Sequence, residues 1–121
     1  MLRSRKPVMA YETLKRKALE LSEVEESTSY GTPALKVRGK LMVRLKEDGE
    51  TAVLRTTWDA RERLMVLHPD VFFVTDHYRN HPWVLLRLPA ATPEIVAHAH
   101  ALAEAWRLVA PKSRAAKYPL P

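Results

Sequence analysis

Five cations alternate with other residues between positions 36 and 46: Lys36, Arg38, Lys40, Arg44 and Lys46. A β-strand turns successive side chains to opposite faces, so an extended Lys40 to Lys46 puts Lys40, Met42, Arg44 and Lys46 on one side. Leu41, Val43 and Leu45 then fall on the other. Ammonium and guanidinium groups displayed together on a sheet pair with phosphates. The first chemistry to consider is therefore non-covalent capture of a polyanion, with nucleic acid foremost. Arg55, Lys112 and the basic ends of the chain add to the same set.

Covalent and metal chemistry find less support. His98 and His100 lie two apart on an expected helix, so their rings point about 200° from each other and cannot share an ion. His77 and His81 have only Asp76 as a nearby carboxylate, which leaves a metal set incomplete. The serines stand in the ends of the chain or in an acidic connector, with no Gly-x-Ser-x-Gly elbow around them. The three glycines, Gly31, Gly39 and Gly49, form no phosphate-cradling loop. Without a single cysteine, thiolate zinc sites, iron–sulfur clusters and cysteine nucleophiles are excluded. We therefore expect neither enzyme activity nor a cofactor or resident metal.

A second candidate site is aromatic. Tyr30, Tyr78 and Trp83 border Gly or Pro turns and polar neighbours, and an aromatic ring beside Arg or Lys can stack on a base or line a pocket. Together with Thr32, Asp76 and His77 they define an alternative site, formed where the Tyr30 to Pro33 and Asp76 to Trp83 loops converge.

The elements that position these groups follow from periodicity. Tyr11, Leu14, Ala18 and Leu21 recur at helical spacing within residues 9 to 21. Residues 22 to 33 read as a connector, because the acidic run with Glu23, Glu25 and Glu26 suits no core and Gly31 and Pro33 punctuate it. Strands are expected at about 34 to 38, 40 to 47 and 51 to 57, with Asp48-Gly49 turning the last pair. Asp59 with Glu62 resembles a capping box for a short helix ending at Pro69. Strands follow at 71 to 75 and 83 to 88. Thr92 and Pro93 then start a long closing helix striped by Ile95, Ala99, Leu102, Trp106 and Val109. This order gives an α+β fold: an antiparallel sheet of about five strands, with the N- and C-terminal helices packed on one face.

At 121 residues and 46% hydrophobic content the chain is one domain, 1–121, in which 1–8 and 113–121 read as flexible basic tails. The net charge is +6. It is concentrated at the ends, with +5 over residues 1 to 17 and +4 over 107 to 121. No stretch has the length and apolarity of a membrane span or signal peptide, so the expected location is the cytoplasm.

Three stretches go beyond pattern: Ser29-Tyr30-Gly31-Thr32-Pro33-Ala34-Leu35-Lys36-Val37-Arg38-Gly39-Lys40; Phe72-Phe73-Val74-Thr75-Asp76-His77-Tyr78 leading to Pro82-Trp83-Val84; and Ala105-Trp106-Arg107-Leu108-Val109-Ala110-Pro111-Lys112. In this order and spacing the chain resembles the MmcQ/YjbR family of small bacterial proteins, from about residue 9 to residue 112. The resemblance implies a frataxin-like α+β architecture with a double wing of hairpins, and a DNA-binding role. His81 departs from the family pattern, where Tyr is frequent. A frataxin-like fold also brings an iron-handling alternative through Glu20, Glu23, Glu25 and Glu26, since hard cations favour carboxylates. The basic sheet speaks against it. The leading expectation is thus DNA held by Lys36, Arg38, Lys40, Arg44, Lys46, Arg55 and Lys112. Binding would be weak and salt-sensitive, with dissociation constants on the order of 10⁻⁶ to 10⁻⁴ M.

Overall fold

The computed structural model describes residues 10–98 and 100–111. Its elements run α1 (Tyr11–Leu19), β1 (Val24–Ser29), β2 (Thr32–Val37), β3 (Lys40–Leu45), β4 (Thr51–Arg55), α2 (Trp58–Leu67), β5 (Phe72–Phe73), β6 (Trp83–Arg87), α3 (Pro93–His98) and α4 (Ala101–Val109). All strands pair antiparallel in the order β1-β2-β3-β4-β6-β5. The α+β class is as expected, with six strands rather than five. Lys112 and both expected tails lie outside the described residues.

The added strand is β1, within the expected connector. It is an edge strand that buries only Val24, which lies opposite Val37, while Glu25 and Glu26 remain in solvent. Edge strands tolerate such polarity because one side of the ladder faces water. Two-residue turns join β1 to β2 through Tyr30-Gly31 and β2 to β3 through Arg38-Gly39. All four residues have positive φ, at 54° and 81° in the first turn and 51° and 81° in the second. This is the hairpin geometry whose twist matches the strands it connects.

One face of the sheet packs on α1 and α4. Leu14 and Ala18 from α1 and Ala105, Trp106 and Val109 from α4 meet Leu35, Val43, Leu54, Val84, Leu86 and Phe72 in a single core. The Trp106 indole donates to the Ser22 carbonyl at 2.8 Å, tying α4 to the chain entering β1. Thr57, not Asp59, caps α2, its hydroxyl accepting from the Ala60 N–H at 3.1 Å. The closing helix is two helices rather than one, with His100 in a left-handed conformation before α4. Ala99 of the expected stripe is outside the described residues.

The alternation expected of Lys40 to Lys46 breaks at Met42. Leu35 pairs with Val43 and Lys36 with Leu41, so Met42 is an extra residue in β3, a β-bulge. Met42 enters the core completely, and Leu41 crosses to the face away from the helices. The driving term is burial of a large apolar side chain, which outweighs one disrupted ladder position.

Candidate functional site

The face of the sheet away from the helices carries Ala34 and Lys36 from β2, Leu41 and Arg44 from β3, Val53 and Arg55 from β4, and Trp83, Leu85 and Arg87 from β6. These assignments follow from the strand register. Ala34, Val53 and Leu85 are buried yet stand outside the helix-side core. The segment from Phe73 to Pro82 folds over part of this face. Between it and the Tyr30 turn lies a cleft of about 540 Å³, lined by Tyr30, Leu41, Arg44, Glu47, Val53, His77, Tyr78, His81 and Trp83.

The cleft's far wall is held by a residue outside the expected set. Arg61 of α2 donates through Nη1 to the carbonyls of His81 at 2.9 Å, Tyr78 at 3.2 Å and Trp83 at 3.3 Å. Its Nη2 donates to the Arg79 carbonyl at 2.8 Å. A planar guanidinium has several donors in a fixed fork, which suits this clamp where a lysine would not. Nothing in local sequence marks it, because its partners lie 17 to 22 positions away.

At the cleft floor Arg44 is nearly buried, its side chain 8% exposed. Its Nη2 meets the Glu47 carboxylate at 2.7 Å and its Nε points at the Ser29 carbonyl at 3.4 Å. The Tyr30 ring stands 5.2 Å from the guanidinium carbon. Similar cation and ring pairs recur on this face: Lys46 on Tyr78 at 5.6 Å, Arg55 on Trp83 at 5.4 Å and Arg87 on Phe73 at 3.9 Å. Such contacts leave the positive charge uncompensated, unlike a carboxylate pair.

Of the expected phosphate contacts, Lys36, Arg44, Lys46 and Arg55 share the open face, but they do not form a uniform basic stripe. Arg44 is buried and paired. Arg38, at the turn before β3, is bound to Glu23 at 2.7 Å. Lys40 is exposed opposite Val37 at the same hairpin end. Of the expected pocket residues, Tyr30, His77, Tyr78 and Trp83 line the cleft, whereas Thr32 and Asp76 do not. The Thr32 hydroxyl donates to the Ser29 carbonyl at 3.0 Å, and Asp76 takes the Arg79 guanidinium at 2.8 Å instead of His77. His77 packs edge-on against Tyr78, with centroids 4.7 Å apart. Leu41, Glu47, Val53 and His81 line the cleft as well, beyond the residues expected.

The four glutamates of the iron alternative are dispersed by β1. Glu23 engages Arg38, Glu26 engages Lys15 at 3.3 Å, and Glu25 points the opposite way from Glu26. Among the described residues no three His, Asp or Glu side chains gather as metal ligands. No described helix is long and apolar enough to cross a membrane.

A protein-family model described as YjbR matches residues 19–108. Among solved structures, the fold is similar to the crystal structure of Deinococcus radiodurans protein DR2400, with a DUF419 family-model domain. The TM-score is 0.69 at 19% identity, covering 98% of this chain and 94% of that one. That likeness carries the fold. No curated protein matches the chain.

Proposed function

The chain belongs to the YjbR family, and from that premise we propose a non-enzymatic nucleic-acid-binding protein that takes an unpaired strand of DNA on the open face of its sheet. The observation that carries the reading is Tyr30. The residue is 86% exposed at a left-handed turn position, its ring beside a guanidinium and across the cleft from Tyr78 and Trp83. Large aromatics are ordinarily covered, whereas proteins that hold single strands expose rings for bases to stack on and set cations beside them for the phosphates. Lys36, Lys46 and Arg55 supply that charge from the same face. A duplex is a poorer fit. The face is indented rather than flat, two of the expected phosphate contacts already hold carboxylates, and among the described residues no helix stands free on it for a groove.

The test is a titration of labelled oligothymidylate and of duplex DNA at two salt concentrations, using the parent and Tyr30→Asn. Asparagine accepts the left-handed backbone and removes the ring. Loss of one stacking platform costs about 1–3 kcal/mol, so single-strand affinity falls at least about fivefold. With three open-face cations engaged, log affinity changes with log salt at a slope of about −2. Equal binding by Tyr30→Asn, or preference for duplex, refutes the reading.

The same cleft favours a second reading, a small-molecule binding module, because four of the six loop residues expected for a pocket do enclose one space. Binding of a free nucleotide with no affinity for oligonucleotides would select it.

A further inference from the structure

Resting on the reading of the open face as the binding surface, we propose that Arg44 is the anion anchor of the cleft and Glu47 its built-in competitor, displaced when a ligand's phosphate or carboxylate enters. A nearly buried guanidinium requires a counter-charge. Here the counter-charge comes from a side chain 65% exposed at the rim of the cleft. The two ends of this pair thus differ sharply: one is fixed in the floor, the other is free to leave.

Three further observations support displacement. Arg44 spends Nη2 on Glu47 and Nε on Ser29, while Nη1 makes no hydrogen bond among the described residues. Nor is Nη1 sealed away like the buried unpartnered atoms Arg55 Nε and Thr56 Oγ1. A donor is therefore available to an entering oxyanion before Glu47 moves. Second, the turn bearing Glu47 does not depend on it. The Asp48 carboxylate accepts from the Glu50 N–H at 2.8 Å, the Thr51 N–H at 2.9 Å and the Thr51 hydroxyl at 2.8 Å, and the Gly49 N–H donates to the Lys46 carbonyl at 3.0 Å. Glu47 can swing outward while its backbone stays in place. Third, the Tyr30 ring beside the guanidinium and the apolar Leu41 and Val53 fit the flat, uncharged part of the same ligand. A carboxylate on a guanidinium occupies the place that a phosphate oxygen takes in the same planar fork. The site thus suits a planar group carrying one anionic group, as in a nucleotide, free or within a strand.

Glu47→Gln keeps the size and the hydrogen-bond acceptor and removes the charge. Binding of inorganic phosphate, thymidine monophosphate and oligothymidylate is measured for the parent, Glu47→Gln and Arg44→Met, with thermal melts confirming that each is folded. Glu47→Gln is expected to bind the anionic probes about fivefold more tightly than the parent, and Arg44→Met to bind them more weakly than the parent. Tighter nucleotide binding without oligonucleotide binding supports the anchor and overturns the single-strand reading. Oligonucleotide binding unchanged by Glu47→Gln overturns the competitor and leaves that reading standing. Weaker binding by Glu47→Gln, or no binding of any probe by any of the three proteins, overturns the proposal.

Discussion

Replacing Arg61 with Met tests whether the far wall of the cleft is held from α2. The change removes four carbonyl contacts, of which the two shortest, at 2.8 and 2.9 Å, go to the exposed carbonyls of Arg79 and His81. Those carbonyls regain water, so each contributes well below the ~1.5–3 kcal/mol of a charged hydrogen bond. The contacts to Tyr78 and Trp83 are longer but more sheltered. The guanidinium also stands 4.8 Å from the Trp58 ring, worth about 0.5 kcal/mol at an exposed position. Together these give a loss of about 2 kcal/mol, read as a lower urea midpoint at unchanged slope. Amide exchange should accelerate selectively over residues 76 to 83, and oligothymidylate affinity should fall with it, because His77, Tyr78, His81 and Trp83 lose their common support. Arg61→Lys should recover less than half of the stability, since an ammonium lacks the fork. A loss under about 0.5 kcal/mol, or unchanged exchange in the loop, would refute the clamp.

Two further outcomes test the frame of the site. Bonding to the Glu50 N–H, helped by the Thr51 N–H and hydroxyl, holds the Asp48 carboxyl below its ordinary value. Its stabilisation is present above an unfolded pKa of about 3.9 and is lost as pH falls through the lowered folded value; Asp48→Asn should cost about 1 kcal/mol at neutral pH and flatten the acid limb of a stability–pH curve. Met42→Lys should cost about 3 kcal/mol or more by burying an unpaired ammonium, while Leu41→Lys stays within about 1 kcal/mol. The reverse order of cost in urea melts would argue for an unbulged β3, and equal tolerance of the two would refute the placement of Met42 in the core.

Local rules located most elements because local forces decide them. The apolar spacing of α1, the Asp48-Gly49 turn and the Thr92-Pro93 start of α3 are each set within a few residues. β1 was illegible for a different reason. Its residues have no strand periodicity and Val24 alone is apolar, and it forms because the Tyr30-Gly31 turn delivers it to the edge of β2. The break before α4 is likewise hidden, since His100 carries no breaker signal. At the site, Tyr30, Tyr78 and Trp83 were legible as turn-flanking aromatics, and all three line the cleft. Arg61 and Glu47 were not: one acts across 17 to 22 positions, and the other becomes meaningful only once Arg44 is known to be buried.

The apolar lining that Leu41 gives the cleft has its origin in the Met42 bulge. In an unbulged strand Leu41 would join Val43 and Leu45 toward the helices, and Met42 would lie among the cations on the open side. The extra residue exchanges them: Met42 fills the core, and Leu41 lines the cleft with Val53. Arg44 lies beyond the bulge and keeps its outward direction, where it stands across from Val53 and beneath the Tyr30 ring. A guanidinium there is too enclosed to serve as one of several interchangeable surface charges. With Arg44 as the proposed anchor, its truncation should weaken anion binding more than truncation of any one of Lys36, Lys46 or Arg55.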